Sequence, residues 1–215
     1  MGKGDATRQD ILQKAAVLFN EKGYAATSMQ DITRVTGIQR GGLYNHFASK
    51  DELAIATFEY ACAVLSQRLR QGMSTQVTAL GQLKAIATAF AELYTQNPGF
   101  PSGCQVLNTA VEAKRQMPTL RHKAQDAMGQ LKDLIANTAL KAVECGELPE
   151  SIQTEAIAIL FISTLEGAML LSVLYDDCRY LQHAVDHLHW YLDCLANGST
   201  NGLAKTLPPV QIAVE

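Results

Sequence analysis

The sequence predicts an all-α protein: an N-terminal three-helix domain built around a helix-turn-helix, followed by a larger C-terminal helical domain. Three observations carry this. Apolar residues recur at three- and four-residue spacing from Ile11 onward. Gly37 separates two short helical segments, and a capped third follows at Ser49. No segment shows the strict alternation of a half-buried strand.

The first helix is read between Arg8 and Lys22. Ile11, Leu12, Ala15, Ala16, Leu18 and Phe19 form one apolar face, and Gly23 ends the run. Thr27 and Gln30 have capping-box spacing, so the second helix is expected from there to about Thr36, with Met29, Ile32 and Val35 as its stripe. Gly37 gives the backbone freedom to reverse direction, and Ile38 turns into the core. A short helix from about Gln39 to Asn45 follows, with Leu43 and Phe47 marking its buried side. Ser49 and Glu52 form a second capping box, and Lys50 falls in the first turn of the next helix.

That helix is expected to run from Lys50 to about Arg70, with Leu53, Phe58, Ala61 and Leu65 facing inward and tying the head to the rest. Further helices are expected at about 79–96, 103–115, 119–145, 152–175 and 179–196. The breaks between them fall at Asn97-Pro98-Gly99-Phe100-Pro101, Met117-Pro118, Gly146-Glu147-Leu148-Pro149 and Asp176-Asp177. The expected division is 1–52, 53–197 and a disordered tail at 198–215, rich in Gly, Ser, Thr and Pro.

Residues 156–175 are apolar and long enough to span a bilayer. A central Glu166 would cost roughly 2.5–3.5 kcal/mol there, and Ser163, Thr164, Gly167 and Ser172 weaken the apolar run further. The segment is therefore read as a helix packed on both its own subunit and a partner, with no membrane contact. Gly167 and Ala168 permit a close helix crossing.

Composition sets further bounds. The 215 residues are 47% hydrophobic, enough for a sizeable core in one large or two small domains. Met1 to Arg8 is polar with no apolar run behind it, so no secretory leader is expected. Cys62, Cys104, Cys145, Cys178 and Cys194 are odd in number and widely spaced, which points to reduced thiols and a cytoplasmic location. The net charge is −3, divided as seven basic and six acidic residues in 1–52 against eleven and fifteen in 53–215. The head is thus slightly basic. Phosphate neutralisation is local, so Arg40, Lys50 and Arg34 shown on one face matter more than the total.

Residues 8–53, above all ILQKAAVLFNEKGYAATSMQDI and GIQRGGLYNHFASKDEL, resemble the DNA-binding domain of the TetR/AcrR family of transcriptional regulators. The likeness includes Gly23-Tyr24, the Leu-Tyr-x-His-Phe run at 43–47, and Ser49-Lys50. It implies a homodimer on a palindromic double-stranded DNA operator, with 53–197 as an effector-binding and dimerisation domain. Repression is the usual outcome in that family. Its dimer interface is a four-helix arrangement of the last two long helices, here 152–175 and 179–196.

The positions matching family DNA contacts are Thr27, Ser28, Arg40, Gly41, Tyr44, His46 and Lys50. From side-chain chemistry, Arg40 is suited to guanine O6 and N7 and Gln39 to adenine. Asn45 completes the polar set on this helix, Tyr44 and His46 are expected to reach phosphates, and Lys50 adds its charge to a helix N-terminus. Gly41 and Gly42 each cost about 1 kcal/mol of helix stability relative to alanine; their missing side chains are expected to let the backbone approach the groove.

The effector site is less distinct. The run Pro101 to Glu112 resembles the sixth helix of one subgroup of the family, where it lines or adjoins the cavity. Phe90, Tyr94, Cys104, Leu107, Asn108, Met128 and Phe161 are candidate lining residues, each more readily read as packed core. Glu166, in so apolar a helix, needs either a core hydrogen bond or a ligand group. The surrounding composition points to a small, mostly apolar effector.

Other chemistry is weakly represented. His183 and His187 stand at metal-binding spacing with His189 nearby, but no completing ligand is evident, and neither a metal nor a cofactor is expected. Cys104 has no basic neighbour in sequence to activate it as a redox switch. No nucleophile elbow, phosphate loop or His-Glu-x-x-His motif is present, so an enzyme is not expected. The alternative from another class is a helical adaptor whose head binds protein.

Overall fold

The computed structural model describes residues 2–96, 99–113 and 117–198. The expected disordered tail, Gly198 apart, lies outside these residues. The described part is all-helical: α1 (Lys3–Lys22), α2 (Met29–Thr36), α3 (Arg40–Tyr44), α4 (Lys50–Ser74), α5 (Ala79–Gln96), α6 (Gln105–Ala113), α7 (Pro118–Glu144), α8 (Thr154–Tyr175) and α9 (Arg179–Ala196).

Several ends differ from the sequence reading for local reasons. α1 starts at Lys3 instead of Arg8, because the Asp5 carboxylate accepts the Gly2 N–H at 3.0 Å and caps an earlier turn. The cap of α2 is Ser28, one residue later than expected. Ser28 Oγ accepts the Asp31 N–H at 3.1 Å, and the Asp31 carboxylate accepts the Ser28 N–H at 3.0 Å. Thr27 is unavailable for that role, since its hydroxyl donates to Gly23 O at 2.6 Å. The α2 stripe also shifts: Ile32 and Thr36 are buried while Val35 faces solvent. α3 spans five residues, shorter than the sequence reading, with Gln39 as its N-cap and Asn45 as its C-cap.

Gly37 adopts the left-handed conformation that closes α2, at φ 71°. At α4 the second capping box takes a modified form. Ser49 Oγ accepts the Glu52 N–H, but the Glu52 carboxylate reaches past it to the N–H of Ala48 at 2.7 Å. Gly103 at φ 81° holds α6 back to Gln105, and a Cβ there would meet Met169 Cγ at 3.0 Å.

Two apolar cores result. One fills the head with Ile11, Ile32, Leu43, Phe47, Leu53 and Phe58, then continues into Val106 and Ala113 of α6 and Leu120 of α7. The other lies among the distal half of α4 and helices α5, α7, α8 and α9. The head is therefore packed directly on α6 as well as carried on α4.

α8 has the length and apolar composition of a membrane span. Its residues Ile157, Ala158, Phe161, Leu165 and Met169 are nonetheless buried in the second core. The opposite side leaves Ile159, Leu170, Val173 and Leu174 exposed, Leu170 to 61%, and Trp190 of α9 is exposed as well.

Candidate nucleic-acid interface and effector cavity

α3 is seated by Leu43 and Phe47, both essentially inaccessible to solvent. With that side fixed inward, Arg40, Gly41 and Tyr44 stand on the outer face, and Gln39 and Asn45 are exposed at its two ends. Arg40 and Tyr44 are one helical turn apart and meet. The guanidinium carbon lies 5.6 Å from the Tyr44 ring centroid, and Nη2 approaches the phenol oxygen at 3.5 Å. No carboxylate bridges Arg40 among the described residues, so its positive fork is displayed outward. His46 is half-buried, its ring 6.4 Å from that of Phe47.

Gly41 and Gly42 differ in their surroundings. A Cβ on Gly41 would meet nothing, whereas one on Gly42 would fall 2.8 Å from Ile38 Cγ2. The expectation that both glycines open the backbone to the groove is corrected for Gly42. That glycine accommodates the turn residue beneath it.

The start of α2 divides in the same way. Ser28 is exposed, but Thr27 is 1% exposed with its hydroxyl committed to Gly23, so the Thr27 side chain is not presented outward. Asp31 holds both Lys22 (3.0 Å) and Arg34 (3.1 Å). Hydrogen bonds from Ser28, then Lys22, keep its carboxyl well below the usual range. Arg34 is consequently part of a local ion-pair group.

Lys50 sits with Nζ 4.2 Å from the Tyr24 ring centroid, a cation–π contact that aims the ammonium along the head surface. The Tyr24 hydroxyl donates to the Asp51 carboxylate. Burial first, then the Asp51 hydrogen bond and the charges of Asp51 and Glu112, push the phenol pKa up to about 12.

Behind this face lies a polar junction to α6. The buried Asn20 amide of α1 donates to Gly103 O at 2.9 Å and Gln105 Oε1 at 3.1 Å, and its carbonyl oxygen accepts the Ser102 N–H at 2.7 Å. At the other end of α6, Glu112 accepts the backbone N–H groups of Tyr24 at 2.9 Å and Ala25 at 2.7 Å. Sequence reasoning missed these contacts, which join residues more than eighty positions apart.

A cavity of about 230 Å³ lies among α4, α6, α7 and α8. Leu65 and Leu69 line one wall, Cys104 and Val106 another, and Met128 and Leu131 a third, with Glu166 in the lining and Arg70 and Gln130 as its exposed polar residues. Glu166 is 7% exposed, and among the described residues no N–H or O–H donor reaches either carboxylate oxygen. Burial raises its pKa, and the adjacent Cys104 thiol opposes that shift. Burial followed by the Glu166 charge also drives the Cys104 thiol upward, so a reactive thiolate is disfavoured.

Of the eight expected lining residues, Cys104, Met128 and Glu166 meet at this cavity. The placement of the others is corrected. Phe90 and Phe161 are sealed in the second core, and Leu107 packs against the first. Asn108 turns its amide to Ser102 O at 2.9 Å. Tyr94 lines a separate hollow of about 300 Å³ with Phe100 and Met169, while its side chain also hydrogen-bonds with Cys104 at the back of the first cavity. Leu65 and Leu69 could have been found from their four-residue spacing on the inner face of α4; Arg70 and Gln130 give no such sign.

His183 and His187 are exposed on α9, where the His187 ring lies tilted at 5.4 Å from that of Trp190. His189 instead contacts Lys84 O at 3.0 Å. No group of three metal-ligating side chains occurs among the described residues.

Comparison with known proteins fits this geometry. The family described as "Bacterial regulatory proteins, tetR family" matches residues 11–57, and "Tetracyclin repressor-like, C-terminal domain" matches residues 79–188. A TetR transcriptional regulator from Chloroflexus aurantiacus J-10-FL superposes with a TM-score of 0.84 at 33% identity, covering 90% of this chain and 97% of that one. The chain belongs to the TetR family. A TetR-family regulator from Cytophaga hutchinsonii is similar too, with a TM-score of 0.81 at 28% identity over 91% of this chain and 97% of that one. The HTH-type transcriptional repressor DhaR of Mycobacterium sp. (strain GP1) is 22% identical over 163 residues, 76% of this chain and 80% of its own length. This TetR-family chain is accordingly a ligand-responsive, DNA-binding transcriptional regulator, and the protein-binding adaptor is not favoured.

Proposed function

We propose that this TetR-family regulator binds a palindromic operator as a homodimer in the cytoplasm, acts as a repressor, and is released by a small, mostly apolar effector. Residues 1–52 are the DNA-binding domain and 53–197 the effector-binding and dimerisation domain, with α4 crossing between them. The observation that carries the reading is the outward Arg40–Tyr44 pair on a helix whose other side is locked by Leu43 and Phe47. Two such helices in a symmetric dimer enter successive major grooves, about 34–36 Å apart or a little more. Arg40 and Gln39 read base edges. Ser28, Tyr44, Asn45, His46 and Lys50 hold phosphates, and the open side of Gly41 lets the backbone come close. Thr27 supports this surface from beneath by anchoring the start of α2 to Gly23.

The homodimer is supported by the apolar strip of α8 with Trp190 of α9, which a second copy would cover. Effector coupling is supported by the two polar ends of α6. A ligand pressing on Cys104 and Val106 moves the helix that holds Asn20 through Gln105 and the Tyr24 loop through Glu112. Its force is limited to the difference in its affinity for the two head spacings. The test is selection of duplexes from a random pool by the full-length protein, with mass measured in the same buffer. Enrichment of a palindrome by a dimer is expected. A monomer, or no enrichment at low salt, refutes the reading.

A further inference from the structure

Glu166 is the least expected residue in the lining of the cavity. It stands in the most apolar helix of the chain, between buried Leu165 and exposed Gly167, and no ion pair includes it among the described residues. Arg70 is on the exposed side of the same cavity, and its guanidinium Nη1 donates to Ser66 Oγ at 2.7 Å. A carboxylate withdrawn from water is costly unless N–H or O–H donors fill its acceptor sites. Among the described residues no N–H or O–H donor fills those sites on either oxygen, and the weak thiol donor of Cys104 is the polar neighbour that opposes the rise of its pKa on burial.

We infer that the cavity takes a ligand with one protonated amine on a small apolar body, the nitrogen seated against Glu166 and the body among Leu65, Leu69, Met128 and Leu131. An ammonium group donates up to three hydrogen bonds and supplies the charge that the buried carboxylate lacks. A neutral alcohol supplies one donor and no charge. A carboxylate ligand meets Glu166 as a like charge where the dielectric is low. The cavity of about 230 Å³ lies below the roughly 300–1,000 Å³ typical of drug-sized ligands. Its occupant is therefore a compact amine carrying a single ring or a short chain. The inference rests on the reading of this cavity as the effector site, and it adds the chemical class of the effector.

The test uses matched probes on the full-length protein: phenethylamine against phenethyl alcohol and phenylacetate, then cyclohexylamine and hexylamine against their alcohols. Calorimetry is expected to show at least one amine binding about tenfold or more tighter than its alcohol, with phenylacetate unbound. In Glu166→Gln that preference is expected to fall to about twofold or less. Leu131→Trp, which fills the apolar wall, is expected to abolish amine binding. Equal affinity for amine and alcohol, failure of every amine at millimolar concentration, or an amine preference surviving in Glu166→Gln overturns the inference. So does amine binding that persists in Leu131→Trp, because it places the nitrogen elsewhere. Release of the selected operator is read in parallel. An amine that binds through Glu166 without changing operator affinity upholds the ligand class and refutes the effector reading.

Discussion

The Glu112 carboxylate on α6 accepts the backbone N–H of Tyr24, eighty-eight residues earlier in the chain, at 2.9 Å. One residue on, Ala25 donates to the other oxygen of the same carboxylate at 2.7 Å. The ring of Tyr24 underlies the Lys50 ammonium. A movement of α6 therefore reaches a DNA-facing charge through two steps of direct contact. Glu112→Ala is expected to destabilise the protein by about 1 kcal/mol, modest because the carboxylate is exposed. It should raise hydrogen exchange at the Tyr24 and Ala25 amides while α5 amides stay protected. Unchanged exchange at those two amides would remove Glu112 from the coupling route.

Gly23 tests the same contact from the opposite side. It holds φ at 77°, and a Cβ would come within 3.0 Å of both Glu112 oxygens. Gly23→Ala is expected to cost about 1–3 kcal/mol from an extended, positive-φ backbone that suits only glycine. Steric displacement of Glu112 adds to that. Combining it with Glu112→Ala should recover part of the loss, so denaturant melts of both single mutants and the double mutant should reveal non-additivity. Strict additivity would mean that the side chains do not meet.

Arg40 and Lys50 should fail in different ways. Loss of Arg40 removes a planar fork suited to guanine, so Arg40→Ala is expected to cost about 1–3 kcal/mol at one operator position and to relax preference there. Lys50 stands on the Tyr24 ring as a point charge, so Lys50→Ala should weaken all sequences alike and lower the salt slope by about one. Fluorescence anisotropy across a salt series, on the selected operator and on its single-base variants, separates these outcomes. Identical behaviour of the two mutants rejects the roles assigned here.

The adjacent glycines should also part company. Gly41→Ala meets open space, so it should stabilise the free protein by up to about 1 kcal/mol while lowering operator affinity, because the methyl stands on the groove side. Gly42→Ala meets Ile38 Cγ2 at 2.8 Å and should lower the melting temperature by displacing that side chain. A Gly41→Ala protein that binds its operator more tightly would refute the close-approach reading.

What the sequence revealed and what it hid follow from the range of the interactions. Helices α5 and α9 were legible to the residue because strong three- and four-residue periodicity meets the Asn97-Pro98-Gly99 break after α5 and the Asp176-Asp177 break before α9. Ser28 displaced Thr27 as a cap because Thr27 bonds back to Gly23, a competition that the pattern of residue types does not rank. The recognition surface lies within one short stretch, so Arg40 and Tyr44 could be named from local spacing. The cavity draws on four helices, and Asn20 and Glu112 act across more than eighty residues. No periodicity encodes such pairings. Glu166 was conspicuous as a lone acid in an apolar run; that no N–H or O–H donor meets its oxygens among the described residues became visible only in three dimensions.

That lone acid also gives a stability prediction with a definite sign. Burial raises the folded-state pKa of Glu166 above its unfolded value of about 4.3. The neutral acid is tolerated in the core. Its contribution is therefore fully present below the unfolded pKa and is lost as pH rises through the folded one. Glu166→Met retains the bulk and removes the titration, so at neutral pH it should stabilise the ligand-free protein by about 1–3 kcal/mol. The gain should shrink as pH is lowered toward about 3, where the wild-type acid is neutral in both states. Urea melts at matched protein concentration between these two conditions measure the difference. A gain independent of pH would mean that Glu166 does not change charge on unfolding. A destabilised mutant at every pH would instead mean that the carboxylate has a partner in the folded protein, and the vacancy to which an amine is assigned would not exist.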